Sequence, residues 1–192
     1  MVNNHRHFIL FKPYGYLSQF VLHDNTKKRL LGDFFNFPDG TMSIGRLDKA
    51  SEGLLLLTTD GKTSYHICSQ KIEKEYYAQV DGLISDDAIE QMAEGMDINV
   101  EGVNYHTLKC EVVKLEIEPK LPPRAKKIRD DRHGPTSWIS ITLREGKFRQ
   151  VRKMTSGVGF PTLRLVRIRI GNIQLNDLNP GEVIEVENFD LN

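Results

Sequence analysis

The strongest hydrophobic signal in the chain is the run GLLLLTT from Gly53 to Thr59, apolar on consecutive positions and bounded by turn residues. A run without alternation predicts a central strand buried on both faces. Asp60-Gly61 then opens a predicted helix through Ser69, with Asp60 or Thr59 available as its N-cap. Upstream, His7 to Lys12 (HFILFK) predicts a short strand, ended by Pro13 and a turn at Gly15. Leu17 to Phe20 is expected to resume an extended path, and Leu30 to Phe37 to form a short helix stopped by Pro38-Asp39-Gly40.

Downstream, Glu75 to Val80 predicts a strand of aromatic and β-branched character. Ser85 to Glu94 predicts a helix, capped by Ser85, with Asp86 and Asp87 at its positive end and Ile89, Met92 and Ala93 on one face. Val103 to Ile117 predicts a strand pair or one bent strand, and Glu118 to Thr136, with its prolines, a long irregular connection. Ser137 to Arg144 predicts a strand, Lys147 to Ser156 a short basic helix, Leu163 to Ile173 a strand alternating apolar residues with Arg, and Gly181 to Glu187 a final strand. Strands dominate and helices do not alternate strictly with them. This order predicts an α+β fold on a mixed, mainly antiparallel sheet. No GxGxxG or GxxxxGK[ST] motif occurs, which removes the dinucleotide fold and the phosphate loop.

At 192 residues the chain suits a single domain, with room for two subdomains sharing one sheet. No leader pattern or apolar window of membrane-spanning length is found, and Cys68 and Cys110 form no CxxC pair. A monomeric cytoplasmic protein with two reduced thiols is the expectation. The formal net charge of zero hides a segregation of charge. Lys147 to Arg169 carries seven basic residues and no acid, and Lys120 to Arg132 six basic residues against Asp130 and Asp131. Ile84 to Gly102 carries six acids without a base. A basic sector on a neutral protein points to a polyanion, and nucleic acid is the first partner to consider. A solvated surface is the alternative reading.

The segment Gly45-Arg46-Leu47-Asp48-Lys49-Ala50-Ser51-Glu52-Gly53 is dense in charge, yet it directly precedes the most apolar strand. Polar loops at the edge of a buried strand are common positions for catalytic groups. On residue chemistry alone, a solvated turn with Arg46 paired to Asp48 explains it equally well.

Together with Ser51-Glu52-Gly53 and the following LLLLTTDG, the Gly45-Arg46-Leu47-Asp48 motif resembles the signature of the pseudouridine synthases of the RsuA type. Further blocks match in order: Lys12-Pro13-Tyr14-Gly15, Lys74-Glu75-Tyr76, Glu145 to Met154 (EGKFRQVRKM), and Gly159 to Gly171 (GFPTLRLVRIRIG). The resemblance covers almost the whole chain and leans toward the E-type branch, which acts on large-subunit ribosomal RNA. Phe148 stands where relatives often carry a polar residue such as Asn. The resemblance implies the pseudouridine synthase catalytic fold without an S4 domain, and a uridine isomerisation that uses no cofactor and no metal.

It also implies roles. Asp48 matches the catalytic aspartate, acting on base or sugar by attack or by proton removal. Arg152 is the expected charge partner of the carboxylate, with Arg149 as competitor; helical spacing would put both near one face. Tyr76 is expected to stack on the flipped base, its bland alternative being a core tyrosine. Arg46 would fill the vacated stack or contact phosphate. Lys147, Lys153, Arg164, Arg167 and Arg169 would bind phosphate or serve the fold. The basic Lys120 to Arg132 segment reads either as an RNA-gripping element or as a flexible solubilising loop. Two rivals remain: an inactive RNA-binding protein of the same fold, and a hydrolase using Glu52 as a second carboxylate.

Overall fold

A computed structural model describes residues 5–21, 27–69, 72–129 and 131–191. The start Met1–Asn4, His23 and Asp130 lie outside the described residues. In chain order the elements are β1 (His7–Lys12), β2 (Met42–Ile44), β3 (Glu52–Thr58), α1 (Gly61–Ser69), β4 (Lys74–Asp81), α2 (Asp86–Glu94), β5 (Asp97–Val100), β6 (Val103–His106) and β7 (Glu111–Leu115). They continue with β8 (Thr136–Leu143), α3 (Gln150–Gly157), β9 (Thr162–Ile170), β10 (Ile173–Gln174) and β11 (Val183–Val186). The chain divides into two compact units, 1–72 with 167–192 and 73–166. The registers β1/β11, β1/β3, β2/β3, β9/β10, β4/β8, β7/β8 and β5/β6 are all antiparallel. The expected α+β fold with a mainly antiparallel sheet is the one observed.

In the first unit the strand order is β11-β1-β3-β9. All seven residues of β3 are buried, as the uninterrupted leucine run demands. Leu55 and Leu57 join Phe8, Leu10 and Leu31 in one cluster, against which Phe20, Phe34 and Phe37 pack. Each leucine buried there contributes about 1.5–3 kcal/mol relative to exposure. Asp60 caps α1, its carboxylate accepting from Lys62 N at 2.9 Å and Thr63 N at 3.2 Å. The expected helix over Leu30–Phe37 is instead a single 3₁₀ turn, Leu31–Asp33. Gly32 weakens a helix there, and the phenylalanines that follow pack individually: Phe35 and Phe37 lie 5.7 and 5.2 Å from the Phe8 ring. Leu17–Phe20 runs alongside Arg29–Leu31 without forming a strand element, Leu17 N donating to Arg29 O at 3.0 Å and Leu31 N to Gln19 O at 3.1 Å.

In the second unit the order is β9-β4-β8-β7. Val103–Ile117 resolves into two strands with different partners: β6 turns back on β5, and β7 lies along β8. Ser85 caps α2 by accepting from Ala88 N at 3.3 Å. Ala78, Val80, Ile139, Ile141 and Leu143 face one side of the strands and meet Met92 of α2 and Val151 and Met154 of α3. The alternate positions, Tyr77, Gln79, Trp138 and Ser140, therefore face the other side.

Candidate active site

Asp48 sits in the first unit, on the loop between β2 and β3, half-buried. Ser18 holds that loop from below. Its buried Oγ donates to Leu47 O at 2.8 Å and accepts from Leu47 N at 3.0 Å, so both backbone groups of the residue preceding Asp48 are fixed. Gly15 N donates to Lys49 O at 2.8 Å, and Ser51 N to Asp48 O at 3.0 Å, which closes the backbone turn that starts at Asp48. Gly45 allows the loop to leave β2 at φ +69°. In the sequence Ser18 stands only as part of the Leu17-Ser18-Gln19-Phe20 block, and no periodic signal there announces its role as a support of the loop. Ser18→Ala leaves the Leu47 amide and carbonyl without this partner. A loss of about 1–3 kcal/mol in stability is expected in chemical denaturation. Turnover should fall about tenfold or more, because the carboxylate is no longer held in place.

Lys12 is the second residue that motif spacing alone does not explain. It is fully buried at the end of β1, cross-strand from Gly53, and its Nζ donates to Tyr16 O at 2.8 Å and Pro13 O at 3.0 Å. Burial pushes its ammonium down to about 7, against the pull of the Glu52 and Asp48 carboxylates, while Arg167 pushes it down further. An unfolded chain carries this group near its ordinary 10.5. Between pH 7 and 10.5 the unfolded state therefore binds the extra proton, and raising the pH through that window stabilises the folded state. Below pH 7 both states are protonated and the whole penalty of burying the charge is present. Cys110, raised to about 11 by burial, works in the opposite sense above pH 9. Between pH 7 and 9 the unfolding free energy should rise relative to that of Lys12→Met, at a slope approaching about 1.4 kcal/mol per pH unit. Parallel urea titrations of the two proteins that show no pH dependence in their difference would contradict this.

Glu52, the second carboxylate that a hydrolase would need, opens β3 and is 3% exposed. Arg46 is exposed on the Asp48 loop. Arg167, expected among RNA contacts or structural residues, is 3% exposed, and its Nε donates to Leu54 O at 2.8 Å. It locks β9 to β3 rather than facing solvent.

The other residues nominated by the motifs belong to the second unit. Tyr76 lies on β4, half-buried, packed against the core cluster on the same side as Ala78 and Val80. Arg152 lies on α3, half-buried, with Nη1 donating to Thr162 O at 3.3 Å. The expected helix from Lys147 begins only at Gln150, because Arg149 adopts a left-handed conformation at φ 54°, ψ 34°. Buried Gln150 organises the preceding loop: its Oε1 accepts from Lys147 N at 3.0 Å and its Nε2 donates to Glu145 at 2.6 Å. Glu145 in turn accepts from Tyr105 OH at 2.5 Å and Leu108 N at 2.9 Å. The loop so built presents Lys147, Phe148 and Arg149 to solvent. Lys147 Nζ lies 4.3 Å from the Tyr105 ring centre and Lys153 Nζ 5.1 Å from that of Phe148. Arg149 and Arg152 thus differ in kind: one is an exposed cap, the other a half-buried helical residue.

Among the described residues no group of three or more His, Cys, Asp or Glu side chains could hold a metal ion, and no helix is long and apolar enough to cross a membrane. Residues 6–157 match the RNA pseudouridylate synthase family. The chain is 40% identical over 176 residues to a ribosomal large subunit pseudouridine synthase E of Xanthomonas campestris pv. campestris, covering 91% of each protein. It is 38% identical over 188 residues to the protein of that name from Vibrio parahaemolyticus, covering 97% of this chain and 76% of the relative. A crystal structure of a pseudouridylate synthase superposes over 95% of this chain and 70% of its own, with a TM-score of 0.72 and 26% identity. With the ordered motifs and the clamped Asp48 loop already in view, these matches have one reading: the chain belongs to the RNA pseudouridylate synthase family.

Proposed function

We propose that this protein isomerises a uridine of large-subunit ribosomal RNA to pseudouridine, with Asp48 as the catalytic carboxylate. The observation that carries this reading is the near full-length similarity to large-subunit synthases, combined with an Asp48 whose backbone is clamped in a charged loop. The reaction breaks the bond from ribose C1′ to N1, turns the uracil over and forms the bond from C1′ to C5. The proton on C5 leaves and N1 gains one, so atoms and electrons balance within the nucleotide. An ionised Asp48 serves any of three routes: attack on the base, attack on the sugar, or removal of a sugar proton.

The stacking role of Tyr76 and the charge-partner role of Arg152 belong to the same proposal and rest on the motifs that carry them. Exposed Arg46 in the first unit, and in the second exposed Lys147 and Arg149 with Lys153 near the Phe148 ring, suit phosphate contacts, where sequence-independent attraction positions the RNA. A cytoplasmic monomer working without a metal or cofactor is the form proposed. The test is to incubate purified protein with unmodified large-subunit ribosomal RNA and map pseudouridine by carbodiimide-dependent primer extension. One new stop is expected. No stop on naked RNA or on precursor ribosomal particles would overturn the substrate assignment.

A further inference from the structure

The connection between β7 and β8, basic in sequence, does not hang free of the second unit. Arg129 Nη2 pairs with Asp81 at 2.6 Å and donates to Pro135 O at 3.1 Å. Arg164 of β9 reaches out to Pro122 O at 2.7 Å, and Arg124 reaches back to Leu163 O at 3.4 Å. These bonds drape the connection over the face of β4 and β8 that carries Gln79 and Trp138. Between connection and strands lies a cleft of about 570 Å³. By strand alternation it opens on the side opposite Tyr76, so the base-stacking role proposed for that tyrosine does not account for it.

The chemistry of the cleft is uneven. Arg124, Lys126, Lys127, Arg129 and Arg164 line it, against Glu118 as the acidic lining residue among those described. Asp81 offsets part of the Arg129 charge. A carbonyl acceptor carries no formal charge, so the backbone bonds that anchor the arginines leave the field of the cleft positive. Four cations in sequence along the connection, with Arg164 from β9, suit a chain of phosphates better than a single ion, which binds where donors converge on one point. On the floor, Gln79 Nε2 donates to Thr136 Oγ1 at 3.0 Å, while Gln79 Oε1 is buried with no hydrogen-bond partner among the described residues. A buried acceptor in this state is unfavourable, and a ligand donor relieves it. Phosphates only accept. In a ribose–phosphate backbone the donor is the 2′-hydroxyl, the group that separates RNA from DNA.

We infer that this cleft is a second RNA site, in which Lys126 and Lys127 hold backbone phosphates and Gln79 Oε1 accepts from a ribose 2′-hydroxyl. It anchors single-stranded RNA on the sheet face turned away from Tyr76. The inference rests on the reading of the substrate as RNA and adds a place where that RNA is gripped.

The experiment is an equilibrium titration by fluorescence anisotropy of the intact protein. Its probes are a labelled single-stranded RNA of about 12 nucleotides and a DNA of the same sequence, each read across a salt series. Lys126→Ala/Lys127→Ala alters two exposed side chains and should keep the wild-type melting curve. It is expected to weaken RNA binding about tenfold or more. The slope of log affinity against log salt should shrink by about 1.4, because each single-strand phosphate that a lysine neutralises adds about 0.7 to it. Gln79→Met is expected to abolish the preference for RNA over DNA while leaving DNA affinity in place. Unaltered affinity and salt slope in the double variant would overturn the inference, as would an unaltered RNA preference in Gln79→Met. So would displacement of the RNA by millimolar inorganic phosphate, which would mark a simple anion site. Because binding is read without turnover, a protein that grips RNA through this cleft but leaves large-subunit RNA unmodified would refute the substrate reading and not the cleft.

Discussion

Asp48→Asn is expected to lower pseudouridine formation at least about 10³-fold while leaving melting temperature and RNA affinity close to wild type. An amide matches the carboxylate in size but is neither a nucleophile nor a base, so whichever route the reaction takes loses its active group. The fold has little reason to respond. The loop is held through backbone groups, Leu47 by Ser18 and the Asp48 carbonyl by Ser51 N, and those bonds do not depend on the side chain's charge. One electrostatic consequence follows: the Asp48 carboxylate helps keep Lys12 protonated, so its removal pushes the Lys12 ammonium further down. Rates are therefore best compared from about pH 6 to about pH 8.5, on both sides of that titration. The measurement is single-turnover conversion of saturating RNA, read as pseudouridine per RNA. A residual rate within tenfold of wild type at every pH would remove Asp48 from the chemistry and make the RNA-binding alternative the better account.

The largest expected effect on stability comes from a residue with no side chain. Gly53 lies in β3 with φ +105°, and a Cβ built there would stand 2.2 Å from Arg167 O and 2.6 Å from Arg167 N. Both are backbone atoms of β9, which cannot turn aside as a flexible side chain would. Gly53→Ala therefore meets strain at positive φ and a steric clash together. A loss of about 4 kcal/mol or more is expected, in the range reserved for a named structural fault. The displacement also moves Arg167, whose Nε is bonded to Leu54 O. Urea unfolding at pH 7 checks the effect. A midpoint within experimental error of wild type would show that β3 and β9 can separate at that point, contrary to the packing described. Gly15→Ala is the useful contrast. It also has positive φ, +93°, but open space where its Cβ would point, so it carries only the conformational cost of about 1 kcal/mol.

Much of the fold was legible in the chain because the relevant signals are local. The leucine run of β3, the Asp60 cap of α1 and the Ser85 cap of α2 each depend on neighbours within a few residues, and each appears where the pattern predicts. Leu30–Phe37 departs from its predicted helix. Its apolar density suits a helix, but four phenylalanines, at 34, 35, 37 and distant 20, find apolar partners across the first unit that a helix would deny them. Helix α3 starts three residues later than its pattern predicts, since a left-handed Arg149 is stabilised by the buried Gln150 side chain and its bond to Glu145, not by helix propensity.

The candidate site divides along the same line. By itself the sequence determined the family, through motifs in order, and with it the nomination of Asp48, Tyr76 and Arg152. It also determined that basic charge is concentrated in two stretches, because charge is a property of each residue alone. Only the tertiary structure decided what those residues do next. Arg167 and Lys147 come from one basic stretch, yet the first is buried on Leu54 O and the second is exposed over the Tyr105 ring. Ser18 becomes a support of the Asp48 loop, and Lys12 comes under the charge of Asp48, because the tertiary fold brings positions about 30 to 40 residues apart into hydrogen-bond and Coulomb range, where energies fall off within a few ångströms. Burial, partner and direction are set by contacts distant in the chain, and no residue type announces them in advance.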